Sequence, residues 1–98
     1  MKMLTQEIIK KLPKLYSQEK NPNPAIVCKF FTPWSNWTWF VIEGEKQPDG
    51  DWLFFGMVHG FEKELGYFML SELEAVKGPV GLKIERDMHF DNKYLKDL

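Results

Sequence analysis

The sequence predicts an α+β fold, an antiparallel meander of four or five strands with two short helices packed on it, and three observations carry that prediction. First, residues 30–42, FFTPWSNWTWFVI, hold three of the four tryptophans and no charge. Within them Trp37, Trp39 and Val41 alternate with Thr38, Phe40 and Ile42, so in an extended strand both faces are largely apolar and both ask for cover. Second, the run 52–58, WLFFGMV, has the same character, and Gln47-Pro48-Asp49-Gly50 between the two runs has the residues of a hairpin turn. Third, an amphipathic stretch near the start and an S-x-x-E signature at 71–74 mark one helix on either side of the strands.

Taken in order, Leu4, Ile8, Ile9, Leu12 and Leu15 fall at helical spacing, with Lys10, Lys11 and Lys14 on the other side. Thr5 is the expected N-cap, and Pro13 makes Leu12 the expected end of this helix. The SQEKNPNP stretch at 17–24 reads as a loop, because each Asn-Pro step imposes extended or turn geometry. Residues 25–31, AIVCKFF, read as the first strand by their β-branched and aromatic content. Thr32-Pro33-Trp34-Ser35-Asn36 is a turn leading into the second strand, about 37–43, and 52–58 is the third. The charged FEKELG stretch is expected to be a turn, with a short fourth strand at about 67–70. Ser71 is the expected N-cap of the second helix and Glu74 its capping-box partner, with Lys77-Gly78-Pro79 as the stop. LKIERDMHF alternates as an edge strand over about 82–88. The final DNKYLKDL is expected to be a short helix or a loosely held tail.

Length and composition fit one domain spanning residues 1–98, with a single modest core to which a few large rings contribute much of the buried area. The formal charge of −1 hides a gradient. Residues 1–29 carry six Lys against two acids, and residues 43–74 carry eight acids against two Lys. A near-neutral total is a poor footing for a non-specific grip on nucleic-acid phosphates, although the polarity can orient a partner. With Cys28 as the only cysteine, neither an intramolecular disulfide nor a multi-thiolate zinc site can form, which fits a reducing compartment. There is no signal-peptide pattern and no apolar run approaching the roughly 18 residues of a membrane helix. The expectation is a cytoplasmic protein whose mature form is the whole chain, with no membrane association.

The motifs of phosphate-binding loops, dinucleotide folds, zinc proteases and serine hydrolases are all missing from the sequence. His59 and His89 lie far apart in the chain and would share a metal only if the fold joined them, so no metal site and no cofactor is expected. Cys28 reads as an inert strand residue. Glu43, Glu45, Asp49 and Asp51 flank the hairpin turn and read as solvated acids, since the ordered ligand pattern of a calcium loop is not there.

Several strings together carry a resemblance: LP-x-LYSQE at 12–19, FFTPWSNWTWF at 30–40, LFFG at 53–56, ELGYF-x-LSELE at 64–74, G-P-x-G at 78–81 and IERD-x-x-F at 84–90. In these the chain resembles a family of small bacterial, phage and plasmid proteins classed as a domain of unknown function. The resemblance implies carriage on mobile elements, where accessory proteins of this size counter host restriction or CRISPR immunity. It transfers no catalytic residue. The functional expectation is a small non-enzymatic factor that binds a host or mobile-element protein. A single-stranded nucleic-acid binder using exposed aromatic rings, and an enzyme with a dispersed site, are the alternatives. The binding residues nominated from the sequence are Trp34, in a turn where cover is hard to provide, and its neighbour Asn36. Trp37 and Trp39 are expected to be largely buried.

Overall fold

The computed structural model describes residues 2–98. Its centre is a five-stranded antiparallel sheet in the order β5-β4-β3-β2-β6, built from β2 (Cys28–Phe31), β3 (Thr38–Lys46), β4 (Trp52–His59), β5 (Lys63–Met69) and β6 (Glu85–Arg86). Strands β2 to β5 form the expected meander, and β6 returns to pair with β2, opposite Phe30 and Phe31. A second, two-stranded sheet joins β1 (Ala25–Ile26) to β7 (Lys93–Tyr94). Two short helices, α1 (Gln6–Lys11) and α2 (Leu70–Ala75), complete an α+β fold.

Both faces of β3 are covered, as its two-sided apolar pattern requires. On the first face Cys28, Phe30, Val41, Phe54 and Phe68 meet Leu73 of α2 and Ile84, with Leu4, Ile8 and Leu12 from the α1 region packed against them. On the second face Ile26, Phe40 and Ile42 form a smaller cluster under Phe90, Leu95 and Leu98. No residue of α1 is fully buried, and six residues are too few for a helix to stand alone. It is held by its packed side, by the Thr5 hydroxyl, which accepts from the Ile8 amide at 3.2 Å, and by the Gly44 amide, which donates to the Pro13 carbonyl at 3.0 Å.

β3 contains a bulge. Val41 pairs with Gly56 but Glu43 pairs with Phe55, so Ile42 is an extra residue. Strict alternation would send Glu43 to the first face, beside Val41. The inserted residue turns it over, placing it beside Ile42 and opposite Phe55 on the second face. There its carboxylate is 3% exposed and accepts the Tyr16 amide at 2.9 Å on Oε1 and the Gln18 amide at 2.7 Å on Oε2. The expectation of a solvated Glu43 is therefore corrected. Its two bonds seat the turn after α1 on the sheet, with Tyr16 at a positive φ of 69°.

Several boundaries also differ from expectation. The strand predicted over 25–31 divides at Val27, because residues 25–26 leave the main sheet to pair with β7. The tail is accordingly tied down: the Leu95 amide donates to the Pro24 carbonyl at 3.0 Å, and Leu95 and Leu98 cap the second cluster. β5 begins at Lys63, so the turn contracts to Gly60–Glu62 and the charged Lys63 and Glu64 stand on an edge strand open to water. The strand predicted over 82–88 forms only at Glu85–Arg86. Helix α2 starts two residues early: Met69 occupies the N-cap, and Glu72 rather than Glu74 reaches back to the cap amide, at 2.8 Å. Ser71 caps nothing. Its amide and hydroxyl both go to the Asp51 carboxylate across the β3–β4 turn.

Candidate functional site

The aromatic residues converge on one end of the sheet, where the 32–37 and 60–62 turns meet. The first turn is closed by its own polar groups. The Thr32 amide donates to the Trp37 carbonyl at 3.1 Å, the Ser35 amide to the Thr32 carbonyl at 3.3 Å, and the Thr32 and Ser35 hydroxyls bond each other. Thr32 is buried, so this network replaces water for its hydroxyl and fixes the loop from within.

The three tryptophans of this end are all half-buried. Trp34 packs its edge against the main core and lies flat on Gly78, where a β-carbon would stand 2.5 Å from the ring. The loop 78–82 thus provides the cover that the sequence does not reveal, and Trp34 is not the freely exposed ring that its turn predicts. Asn36, beside it in sequence, is exposed. Trp37 and Trp39, expected to be largely buried, stack on each other at 5.9 Å with 29° between planes, leaving part of each ring in solvent. Trp37 rests on Gly60, where a β-carbon would stand 2.4 Å away, and it receives Phe61 edge-on at 5.5 Å. Phe61 is 95% exposed.

The surface at this end is therefore a ring of aromatic groups held rigidly by glycines and turn hydrogen bonds, with Phe61 at its outermost point. Beside it a shallow groove of about 320 Å³ runs between Trp37, Val58 and Phe61, rimmed by Glu62 and Glu64. Sequence reasoning missed Phe61 because it assigned the whole FEKELG stretch to a charged turn. The usable signal was a lone Phe between Gly60 and Glu62 at a hairpin tip, where no neighbour in sequence can cover it.

The profile of one protein family, described as Protein of unknown function (DUF2958), matches residues 3–95. The chain belongs to this family. No curated protein and no solved structure matches it. The aromatic end and the covered Trp34 both lie within the part of the chain that the DUF2958 profile spans.

The other reactive side chains of this DUF2958 protein have separate surroundings, and the buried His59 Nε2 has no hydrogen-bond partner among the described residues. Burial pushes the Cys28 thiol up to about 12, against an opposing pull from Arg86, so it is protonated and a poor nucleophile at neutral pH. His59 lies edge-on against Phe40 at 4.9 Å, and burial, helped by Lys63 and Lys29, lowers its pKa. His89 is exposed and its amide donates to Asp87 at 2.9 Å. Among the described residues no three His, Cys, Asp or Glu side chains are grouped to hold a metal ion. Nor is any described helix long and apolar enough to cross a membrane.

Proposed function

We propose that this protein is a non-enzymatic binding factor that occupies the surface of a partner protein through the aromatic end of its sheet, with Phe61 as the anchor and Trp34, Asn36 and Trp37 around it. The observation that carries the reading is Phe61 itself, a 95% exposed ring set on a half-buried Trp37. Leaving such a ring in water gives up roughly 1.5–3 kcal/mol of transfer free energy that a partner's pocket can recover. The rigid aromatic surround loses little entropy on binding. The resemblance to phage and plasmid proteins supplies the context, an accessory factor of a mobile element acting against host restriction or CRISPR immunity inside the cytoplasm.

The acidic rim favours a protein over single-stranded nucleic acid. Glu62 and Glu64 border the same groove as the rings, and carboxylates there repel the phosphates that must run alongside stacked bases. The test compares affinity capture from host lysate by wild-type protein and by Phe61→Ala. A partner retained by the first and lost by the second, with unchanged melting, supports the reading. Salt-sensitive binding of a DNA or RNA oligonucleotide with no protein partner overturns it.

A further inference from the structure

A second site lies away from the aromatic end, where the bulge at Ile42 delivers Glu43 to the second face of the sheet. Glu43 is 3% exposed, and among the described residues no Lys, Arg or His nitrogen stands within 4.0 Å of its carboxylate. Its two oxygens offer about four lone-pair positions, of which the Tyr16 and Gln18 amides take two. A buried carboxylate is ordinarily matched by a cation, because two neutral donors only partly replace the water it has lost. Here no matching charge stands beside it among the described residues.

Glu43 forms part of the wall of an open cleft of about 320 Å³. Tyr16 and Tyr67, 58% and 51% exposed, stand at its mouth with ring centres 6.3 Å apart, and Phe55 lies 5.0 Å from Tyr67. Glu19 adds a second carboxylate, and the lining contains no Lys or Arg. The Tyr67 hydroxyl senses this environment: burial, the Tyr16 hydroxyl and the charges of Glu43 and Glu19 all raise its pKa. Electron-rich ring faces beside an uncompensated carboxylate form a cation site. Tyr16 adopts the left-handed backbone at φ 69°, and this strain, like the bulge, is spent at the cleft.

We propose that this cleft binds a guanidinium group carried on an alkyl chain, its plane stacked on Tyr67 or Tyr16 and its N–H groups directed to Glu43. A guanidinium suits the walls better than an ammonium, because it is flat, weakly hydrated and able to stack and hydrogen-bond at once. A hard metal ion does not suit them, since it requires about six oxygen ligands and most of this lining is carbon. The group can come from free arginine or from an arginine within a polypeptide.

Nitrogen-15 NMR titration of the intact protein with L-arginine, with the blocked peptide acetyl-Gly-Arg-Gly-amide, and with the citrulline counterpart of each, tests the proposal. Saturable shifts of the Tyr16 and Gln18 amides are expected, with the neutral citrulline forms at least about tenfold weaker. Tighter binding of the blocked peptide assigns the site to polypeptide arginine, and tighter binding of free arginine assigns it to a small molecule. Glu43→Gln should abolish the shifts, but it also removes one of the two acceptor oxygens that seat the turn. Tyr67→Ala, at a half-exposed position, therefore serves as the second variant and should weaken binding by about threefold to fivefold. If neither arginine form shifts these amides, or if citrulline binds equally well, Glu43 serves only to pin the Tyr16–Gln18 backbone and the proposal fails.

Discussion

Trp34 is covered where its local sequence predicts exposure, while Phe61, passed over in the sequence reading, is the exposed ring, and the difference has a measurable consequence. Trp34 sits in a Pro-containing turn, which argues for exposure, yet Gly78, more than forty positions away in the chain, leaves room for the ring to lie down and reach the core. Trp34→Ala should accordingly lower stability by about 2 kcal/mol, the transfer free energy of a half-buried indole plus a partial cavity. Phe61→Ala should stay within about 0.5 kcal/mol of wild type, because its ring touches little but Trp37. Paired chemical denaturation curves decide this, and equal losses for the two variants would contradict the structure. Glu43 was illegible for a related reason. Its place among the acids around a turn is local information, whereas its burial depends on a pairing register that only the folded sheet reveals.

At the scale of elements, the strands were legible wherever apolar residues alternate, and their ends were not. β3 and β4 were placed within a few residues because both faces of each are apolar and a Pro-Asp-Gly turn separates them. β5 was cut short because its first residues are charged, although an edge strand tolerates charge on its open side. The S-x-x-E string named the right helix and the wrong cap, since Ser71 found a stronger acceptor in Asp51, across the chain. That bond ties the β3–β4 turn to α2 and gives the molecule a defined acid response. The Ser71 hydroxyl, followed by the Trp52 and Ser71 amides, holds the Asp51 carboxyl below its ordinary value of 3.8 despite some desolvation. A carboxyl with a lowered folded pKa contributes its stabilisation fully above the unfolded value and loses it as the pH falls through the folded one. Ser71→Ala should therefore lower the melting temperature at pH 6 to 7 and shrink the difference from wild type as the solution is acidified below about pH 4. A difference that persists unchanged at low pH would mean that the serine acts through something other than Asp51.

Over the whole molecule, the α+β class and the meander were legible because two adjacent strands with two apolar faces must lie inside a covered sheet. The cover of the second face was not legible. DNKYLKDL looks like a polar tail, and its Leu95 and Leu98 acquire meaning only when β7 pairs with Ala25–Ile26 and sets them over Phe40 and Ile42. The double change Leu95→Ser and Leu98→Ser should cost about 2–3 kcal/mol and increase the fluorescence of a dye that binds apolar surface. Unchanged dye fluorescence and stability would show that the small cluster is closed by other groups. The bulge in β3 has a further meaning when the chain is considered as something copied and altered over generations. Ile42 is a supernumerary residue, and the residues on either side of it already point where an uninterrupted strand would put them. Loss of that one codon would leave Val41, Glu43 and Gly44 on their present faces and remove only a plug from the smaller cluster. Loss of the Val41 codon would act in nearly the same way, with Ile42 moving into the vacated place, whereas loss of a codon further from the bulge would invert the residues between it and the bulge. The bulge is thus the part of β3 where a change of length can be inherited.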